Sequence, residues 1–141
     1  MKILVFFISF FFVLVPSETT KKYTLTVKIT GIKSLHGLVQ IALYKDPEKF
    51  PKIGQTYGMK RVKPMSDEMT YHFVNLEAAP YAVCLYHDEN NNDQCDKNLI
   101  GIPTEGYAFS NNFRPKWSVP TFEDCSFELN KDMTVSIKMV Y

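Results

Sequence analysis

The sequence has no surplus of charge of either sign. It carries 16 lysine and arginine residues against 15 aspartate and glutamate residues, a formal net charge of +1. Proteins that hold nucleic acid or an acidic membrane by general electrostatic attraction need a clear positive excess. We therefore expect no nucleic-acid partner and no general electrostatic attraction to acidic lipid.

The sequence also lacks a recognisable catalytic constellation. Nucleophilic hydrolysis needs a Ser or Cys beside a base that a third group orients. The three histidines, His36, His72 and His87, have no partner at motif spacing. A carboxylate pair, Asp88 with Glu105, acting on a glycan is the enzymatic alternative. We expect a protein without enzymatic activity.

Cysteines are few and odd in number. Cys84, Cys95 and Cys125 leave at least one thiol unpaired in a monomer, and their spacing resembles neither a zinc motif nor a thiol-redox motif. We expect small buried side chains with at most one disulfide, whose partners the sequence leaves open.

One long apolar run is present, from Ile3 to Val15, and it ends at Pro16 and Ser17. This layout is typical of a secretory signal peptide, and the run is shorter than the ~20 residues of a membrane-spanning helix. We expect residues 1–17 to be removed, leaving residues 18–141 as one secreted or periplasmic domain without a membrane span. An uncleaved N-terminal anchor is the alternative.

The rest of the chain has the period of two that is typical of strands with one buried face. Leu25, Val27 and Ile29 alternate with polar residues, and "LVQIALYK" repeats the pattern. The turn-forming residues between these two runs predict a hairpin around His36 and Gly37.

Further runs bring the count to about seven short strands, and no segment after the apolar run has helical periodicity. The run "YAVCLYH" is apolar on both faces, which predicts a central strand covered on both sides. The last run ends at Tyr141, so we expect deletion of the last five residues to prevent soluble expression. Together the runs predict an all-β fold, an antiparallel β-sandwich.

The stretch from Leu99 to Phe122 has no sustained period and is long for a connection, a feature that is often functional. Its aromatic side chains predict a cap over an open end of the sandwich, with a ligand groove as the alternative. These side chains belong to Tyr107, Phe109, Phe113, Trp117 and Phe122.

A polar loop follows the predicted central strand in "YHDENNNDQCDKN". Calcium needs several oxygen ligands, which one tight loop supplies from alternate positions. Positions one, three, five and nine of such a loop are occupied here by Asp88, Asn90, Asn92 and Asp96. The spacing predicts a calcium site with a dissociation constant on the order of 0.1 to 1 mM.

Two positions depart from a calcium loop. Asp93 stands where glycine usually makes the sharp turn, and Leu99 stands where a bidentate glutamate is usual. Glu105 is a candidate to fill that gap. A turn without metal is the alternative, because Asn and Asp side chains also bond nearby backbone groups in ordinary turns.

The stretch "PYAVCLYHDENNNDQCDKNLIGIPTEGYAFSNN" resembles the secreted bacterial proteins grouped as domain of unknown function 2141. The resemblance implies a transthyretin-like β-sandwich and export from the cytoplasm, and no established activity; an immunoglobulin-like sandwich is the alternative. Asp88, Asn90, Asn92 and Asp96 match the polar loop of the family. The segment after it is matched by Glu105, Gly106, Tyr107, Phe109, Ser110 and Asn111.

We expect an exported, non-catalytic module whose polar loop supports a segment that binds a glycan, a peptide or an envelope partner. The candidate residues of that segment are Glu105, Tyr107, Ser110, Asn111 and Trp117. The alternative is a purely structural or accessory envelope domain without metal. Tyr107 and Trp117 distinguish the two, because a binding surface exposes both and a cap buries both.

Overall fold

A computed structural model of the protein describes residues 20–116 and 118–141. The predicted signal peptide, residues 1–17, lies outside the described residues, as does Trp117. Besides two 3₁₀ turns, Pro47–Lys49 and Ser110–Asn112, the described part contains eight strands and one short α-helix. They are β1 (Lys22–Thr30), β2 (Leu38–Tyr44), β3 (Gly58–Val62), β4 (Glu68–Glu77), β5 (Ala79–Asp88), β6 (Gly106–Phe109), α1 (Phe122–Cys125), β7 (Phe127–Leu129) and β8 (Met133–Lys138).

The strands form two sheets, as a β-sandwich requires. One sheet has the order β4-β1-β8, and the other has the order β3-β2-β5-β6 with β7 also paired to β5. All pairs are antiparallel except β1 with β8, which run parallel. The predicted all-β sandwich is therefore confirmed, with one strand more than the expected seven.

The main core lies between the two sheets. In β1 the side chains of Leu25, Val27 and Ile29 are fully buried, while Lys28 between them is exposed. In the facing sheet, the inward positions of β2 and β5 supply the opposite half of the core. Their fully buried members are Val39, Ile41, Leu43, Tyr81, Val83 and Leu85. Burial of these alternating apolar side chains holds the two sheets against each other.

A second, smaller apolar cluster covers the outer face of the larger sheet. Ala82 of β5 is fully buried on this face, beneath Phe109 and Phe122. Phe50 from the β2–β3 connection packs edge-to-face on both rings, with centroid distances of 6.2 Å and 6.0 Å. The prediction that β5 is a central strand covered on both sides is confirmed.

The predicted hairpin around His36 and Gly37 is wrong. β1 and β2 belong to different sheets, so the connection between them crosses the sandwich. Both strands bury one apolar face in the same core, and the period of two is identical whether two strands are neighbours or face one another. Turn residues alone therefore do not distinguish a hairpin from a crossover.

The stretch from Leu99 to Phe122 is more regular than its sequence suggests. It contains β6, whose residues pair with the end of β5, and it contains the start of α1. Phe109 and Phe122 are buried, but they cover a sheet face instead of an open end of the sandwich. These aromatic side chains therefore do cover apolar surface, but the predicted position of the cover, over an open end of the sandwich, is wrong.

The C-terminal segment is bound to both sheets. Ile137 and Met139 are buried in the main core, and Val140 exchanges two backbone hydrogen bonds of 2.9 Å with Tyr107 of β6. Regular β8 ends at Lys138, three residues before the end of the predicted strand. Helices are short in the described part of the chain, and none there has the length and apolar character needed to cross a membrane.

Candidate functional site

The polar loop predicted as a site connects β5 to β6 and spans residues 89–105. Asp88, the last residue of β5, is fully buried. Its Oδ1 accepts the backbone N–H of Asn92 at 3.0 Å, and its Oδ2 accepts that of Asp93 at 3.0 Å. Asp88 therefore fixes the first turn of the loop by bonding the backbone that follows it.

Arg61 of β3 supplies the positive charge that a buried carboxylate needs. Its Nη2 lies 3.3 Å from Oδ2 of Asp88, and its Nη1 donates to the carboxylate of Asp93. The same guanidinium donates to the Tyr86 hydroxyl at 2.6 Å and to Gln40 Oε1 at 3.1 Å. Gln40 is paired in register with both Arg61 and Tyr86, so the sheet itself positions the cation beneath the loop.

Glu105 closes the other end of the loop. It is buried, and its Oε1 accepts the backbone N–H of Glu89 at 2.9 Å while its Oε2 accepts that of Asp96 at 3.1 Å. One carboxylate thus joins the beginning and the middle of the loop. The sequence suggested Glu105 as an additional metal ligand, whereas in the structure it holds backbone.

Asn90, Asn92 and Asp96, the other predicted metal ligands, bond one another. The Asp96 carboxylate accepts Nδ2 of Asn90 at 2.7 Å and Nδ2 of Asn92 at 3.0 Å. The Oδ1 atoms of Asn90 and Asn92 accept the backbone N–H of Asn92 and Gln94 at 3.1 Å and 2.8 Å. The side chains that the spacing selected do meet, and their contacts are hydrogen bonds within the loop.

The loop turns where a calcium loop turns, but its oxygen atoms are engaged. Asp93 has φ +65°, the left-handed conformation that glycine usually supplies. The Arg61 guanidinium places a positive charge beside Asp88, where a dication would be repelled. Among the residues that the structure describes, no group of three or more His, Cys, Asp or Glu side chains converges to hold a metal. In this arrangement the residues do not fit a dication, and calcium binding stays a prediction.

The far end of the loop is a tight turn, residues 98–102, which we call the aliphatic tip. Asn98 organises it: its N–H donates to Ile102 O at 2.8 Å, and its Oδ1 accepts the N–H groups of Ile100 and Ile102 at 3.1 Å and 3.0 Å. Leu99 is fully exposed, and Ile100 and Ile102 are 79% and 52% exposed. Three adjacent aliphatic side chains in water are unusual for a polar loop.

Sequence reasoning missed the aliphatic tip. In the comparison with a calcium loop, Leu99 is simply the residue that replaces the usual bidentate glutamate at position twelve. The signal was the apolar cluster in "NLIGIP", which interrupts a polar loop without belonging to a strand. Gly101, with φ +82°, makes the turn that exposes it.

The base of the loop packs on a buried histidine. His87 donates from Nε2 to the carbonyl oxygen of His36 at 2.7 Å, so its Nδ1 accepts the Tyr141 hydroxyl, also at 2.7 Å. The Tyr141 hydroxyl in turn accepts the N–H of Lys33 at 3.2 Å. His87 thus joins the crossover, the loop base and the C-terminal residue.

Two glycines make this close packing possible. A Cβ on Gly106 would lie 2.5 Å from the Tyr141 ring, and a Cβ on Gly37 would lie 1.9 Å from the carbonyl oxygen of Asp88. Gly37 also has φ +69°. Neither contact has a local sequence signal, because the residues of each pair lie far apart in the chain.

The other predicted binding residues serve the scaffold or stay undecided. Ser110 is buried; its Oγ accepts the Val83 N–H at 2.9 Å and donates to the Cys125 carbonyl at 2.5 Å. The Asn111 amide donates to the Ser126 carbonyl at 2.9 Å. Tyr107 is half-buried on β6, which matches neither the fully exposed nor the fully buried expectation.

Burial disfavours the thiolate form of the three cysteines. The structure has all three cysteines as free thiols. Burial raises the pKa of both Cys84 and Cys125 to about 12, and burial also raises the pKa of Cys95. Because the thiolate is the reactive form, none of these environments favours covalent catalysis.

The fold and the loop define a small two-sheet β-sandwich with one charge-paired connection between β5 and β6. The chain belongs to the family DUF2141, described as an uncharacterized protein conserved in bacteria, whose model matches residues 27–138. The recognition made from the loop and the segment after it is therefore confirmed. Comparison with curated proteins and with solved structures gives no match.

Proposed function

We propose that the chain is an exported, non-catalytic β-sandwich module that uses the aliphatic tip to bind a partner. The observation that supports this proposal is that one loop combines exposed apolar side chains at its tip with buried, hydrogen-bonded carboxylates at its base. The tip exposes Leu99, Ile100 and Ile102, while the base of the same loop is fixed by buried Asp88 and Glu105. A fixed loop that holds apolar side chains in water loses little conformational entropy on binding.

The absence of catalysis is proposed because the side chains that a reaction would use are already hydrogen-bonded within the protein. Asp88 and Glu105, the imagined pair for glycan hydrolysis, accept backbone N–H groups on all four carboxylate oxygens. Both ring nitrogens of His87 are hydrogen-bonded, and burial raises the pKa of all three thiols. A panel of glycans incubated with the protein is expected to release no product.

Export is supported by the apolar N-terminal segment and by the family resemblance. We expect protein recovered from outside the cytoplasm to lack residues 1–17. Intact-mass measurement checks this, and a mass that retains the segment contradicts signal-peptide removal.

A partner contact at the tip is testable by photo-crosslinking in the native host. A photoreactive amino acid in place of Ile100 is expected to give adducts with lipid, glycan or protein. The matched control places it at Val74, which is 59% exposed on β4, and is expected to give none. Equal yields at both positions would favour the alternative, a purely structural domain.

Calcium is the second candidate for the loop, because Asn90, Asn92 and Asp96, three of the four side chains that the spacing selected, contact one another. Calorimetric titration with several millimolar calcium distinguishes a loop that binds calcium from a loop held only by its own hydrogen bonds. We expect no heat and no stabilisation, because the Arg61 guanidinium already neutralises the carboxylates beside it. Saturable heat that Asp96→Ala abolishes would establish the calcium site.

A further inference from the structure

Three loops meet at one end of the sandwich, which we call the docking end. They are the β1–β2 loop (residues 31–37), the β3–β4 loop (residues 63–67) and the β5–β6 loop (residues 89–105). The N–H of Ile32 donates to the Asp67 carbonyl at 3.0 Å, which joins the first two loops. Gly37 packs against the backbone of Asp88, which joins the first loop to the third.

The same short pattern occurs in all three loops. Each has an exposed lysine and, two residues later, an exposed large apolar side chain. The pairs are Lys33 with Leu35, Lys63 with Met65, and Lys97 with Leu99. In the third loop, Ile100 and Ile102 enlarge the apolar part.

We propose that the docking end binds a phospholipid bilayer by inserting these apolar side chains into the membrane interface. The proposal rests on the proposed function, because the aliphatic tip makes the largest insertion, and it names the bilayer as the partner. An exposed apolar side chain two residues from an exposed lysine matches the layering of the interface, where acyl chains lie beneath phosphates. The Lys33 ammonium lies over the ring of Tyr141, at the same end of the sandwich. Lysine keeps its charge among the phosphates while the neighbouring side chain enters the hydrocarbon.

The carboxylates at the docking end determine whether binding depends on the charge of the lipid. Asp88 and Asp93 are paired with Arg61, and the Asp96 carboxylate accepts amide N–H groups. Buried Glu105 accepts two backbone N–H groups, while Asp67 and Glu89 add a carboxyl group to the second and third loops. With both signs present, apolar insertion supplies the affinity. We therefore expect binding to neutral vesicles, with a smaller contribution from the lysines that added salt weakens.

Sedimentation with phosphatidylcholine vesicles tests the proposal on the purified protein. The wild type is expected to sediment with the vesicles. The triple variant Leu99→Ser, Ile100→Ser, Ile102→Ser is expected to bind about 100-fold more weakly. The matched control changes two exposed aliphatic residues away from this end, Ile53→Ser and Val74→Ser, and is expected to bind as the wild type does.

Charge reversal tests the role of the lysines. Lys33→Glu, Lys63→Glu and Lys97→Glu together place carboxylates against the phosphates, so we expect weaker binding to the same vesicles. The control reverses three exposed lysines at the opposite end, Lys21, Lys52 and Lys131, and is expected to bind normally. Equal losses in both triple variants would overturn the assignment of this end.

A second measurement does not depend on the serine variants folding well. Tryptophan in place of Leu99 is expected to be quenched by bromine-labelled acyl chains, and tryptophan in place of Ile53 is expected to show no more quenching than the wild type. A wild-type protein that stays in the supernatant at millimolar lipid, or equal quenching at both positions, overturns the bilayer proposal. Protein or glycan adducts at Ile100 in the crosslinking experiment would then leave the proposed function standing with another partner.

Discussion

At the scale of single residues, Arg61 is the side chain on which the loop depends most. It is the one described side chain that contacts Asp88, Asp93, Gln40 and Tyr86 together. A buried carboxylate without its counterion costs several kcal/mol, whereas an exposed ion pair contributes little. The contribution of Arg61 therefore comes from the fully buried Asp88, since the Asp93 side chain is mostly exposed.

We predict that Arg61→Met lowers the free energy of unfolding by about 3–5 kcal/mol, because it leaves Asp88 buried and unpaired. Urea unfolding measures the loss. The matched control is Lys60→Met, the exposed neighbour in β3, for which we expect a change within about 0.5 kcal/mol. Equal midpoints for the two variants would contradict the role given to Arg61.

Buried acids that are neutral in the folded protein predict weaker stability at alkaline pH. Burial raises the pKa of Cys125 from 9.0 to about 12 and that of Tyr44 from 10.0 to about 12. Between the ordinary pKa of each group and its raised pKa in the folded protein, the group is ionised only in the unfolded chain. The free energy of unfolding therefore falls as pH rises from about 9 towards 12. Cys125→Ala should show a shallower fall in urea unfolding than the wild type, and parallel curves would contradict this.

At the scale of elements, the β5–β6 connection depends on the contact of Gly106 with the C-terminal residue. The Tyr141 ring lies against Gly106, and its hydroxyl bonds His87 beneath the loop base. β6 and the C-terminal segment are also paired through Tyr107 and Val140. The order of the loop base therefore depends on residues distant in the chain.

We predict that Gly106→Ala lowers the free energy of unfolding by about 1–3 kcal/mol, because the new methyl group overlaps the Tyr141 ring. A double-mutant cycle with Tyr141→Ala isolates this contact. In the Tyr141→Ala background, Gly106→Ala should cost much less. Additive losses would show that the cost arises from elsewhere.

Elements with an alternating apolar pattern were predictable, and elements defined by long-range contacts were not. Leu25, Val27 and Ile29 repeat with a period of two, so β1 was found from its sequence. β6 was missed, because its four residues lie between irregular segments and their partners, β5 and Val140, are distant in the sequence or give no local signal. In the site, the spacing selected side chains that do meet, but Arg61, which lies 27 residues before Asp88, carried no local signal.

At the scale of the whole molecule, the last residues of the chain join both sheets. Ile137 and Met139 fill the main core, Val140 pairs with β6, and Tyr141 reaches His87. The two sheets otherwise meet mainly through side chains. The C-terminal segment thus adds backbone hydrogen bonds to the apolar packing that holds the sandwich together.

We predict that deletion of the last five residues, 137–141, prevents soluble expression, because it removes two buried core side chains and both backbone bonds to Tyr107. The milder control, Tyr141→Phe, loses only hydroxyl hydrogen bonds and should cost about 1 kcal/mol. Soluble yield and thermal unfolding measure both changes. A truncated protein with the wild-type melting temperature would contradict this prediction.

The division of the β5–β6 loop into a fixed base and an exposed tip has an evolutionary consequence. The base is held by Asp88, Glu105 and Arg61, and none of these side chains contacts residues 98–102 by a hydrogen bond. Replacement of the five tip residues therefore leaves the sandwich and its charge pairs intact. Under the proposed function, a lineage could change its partner by changing this single pentapeptide, while selection for folding acts on the rest of the chain.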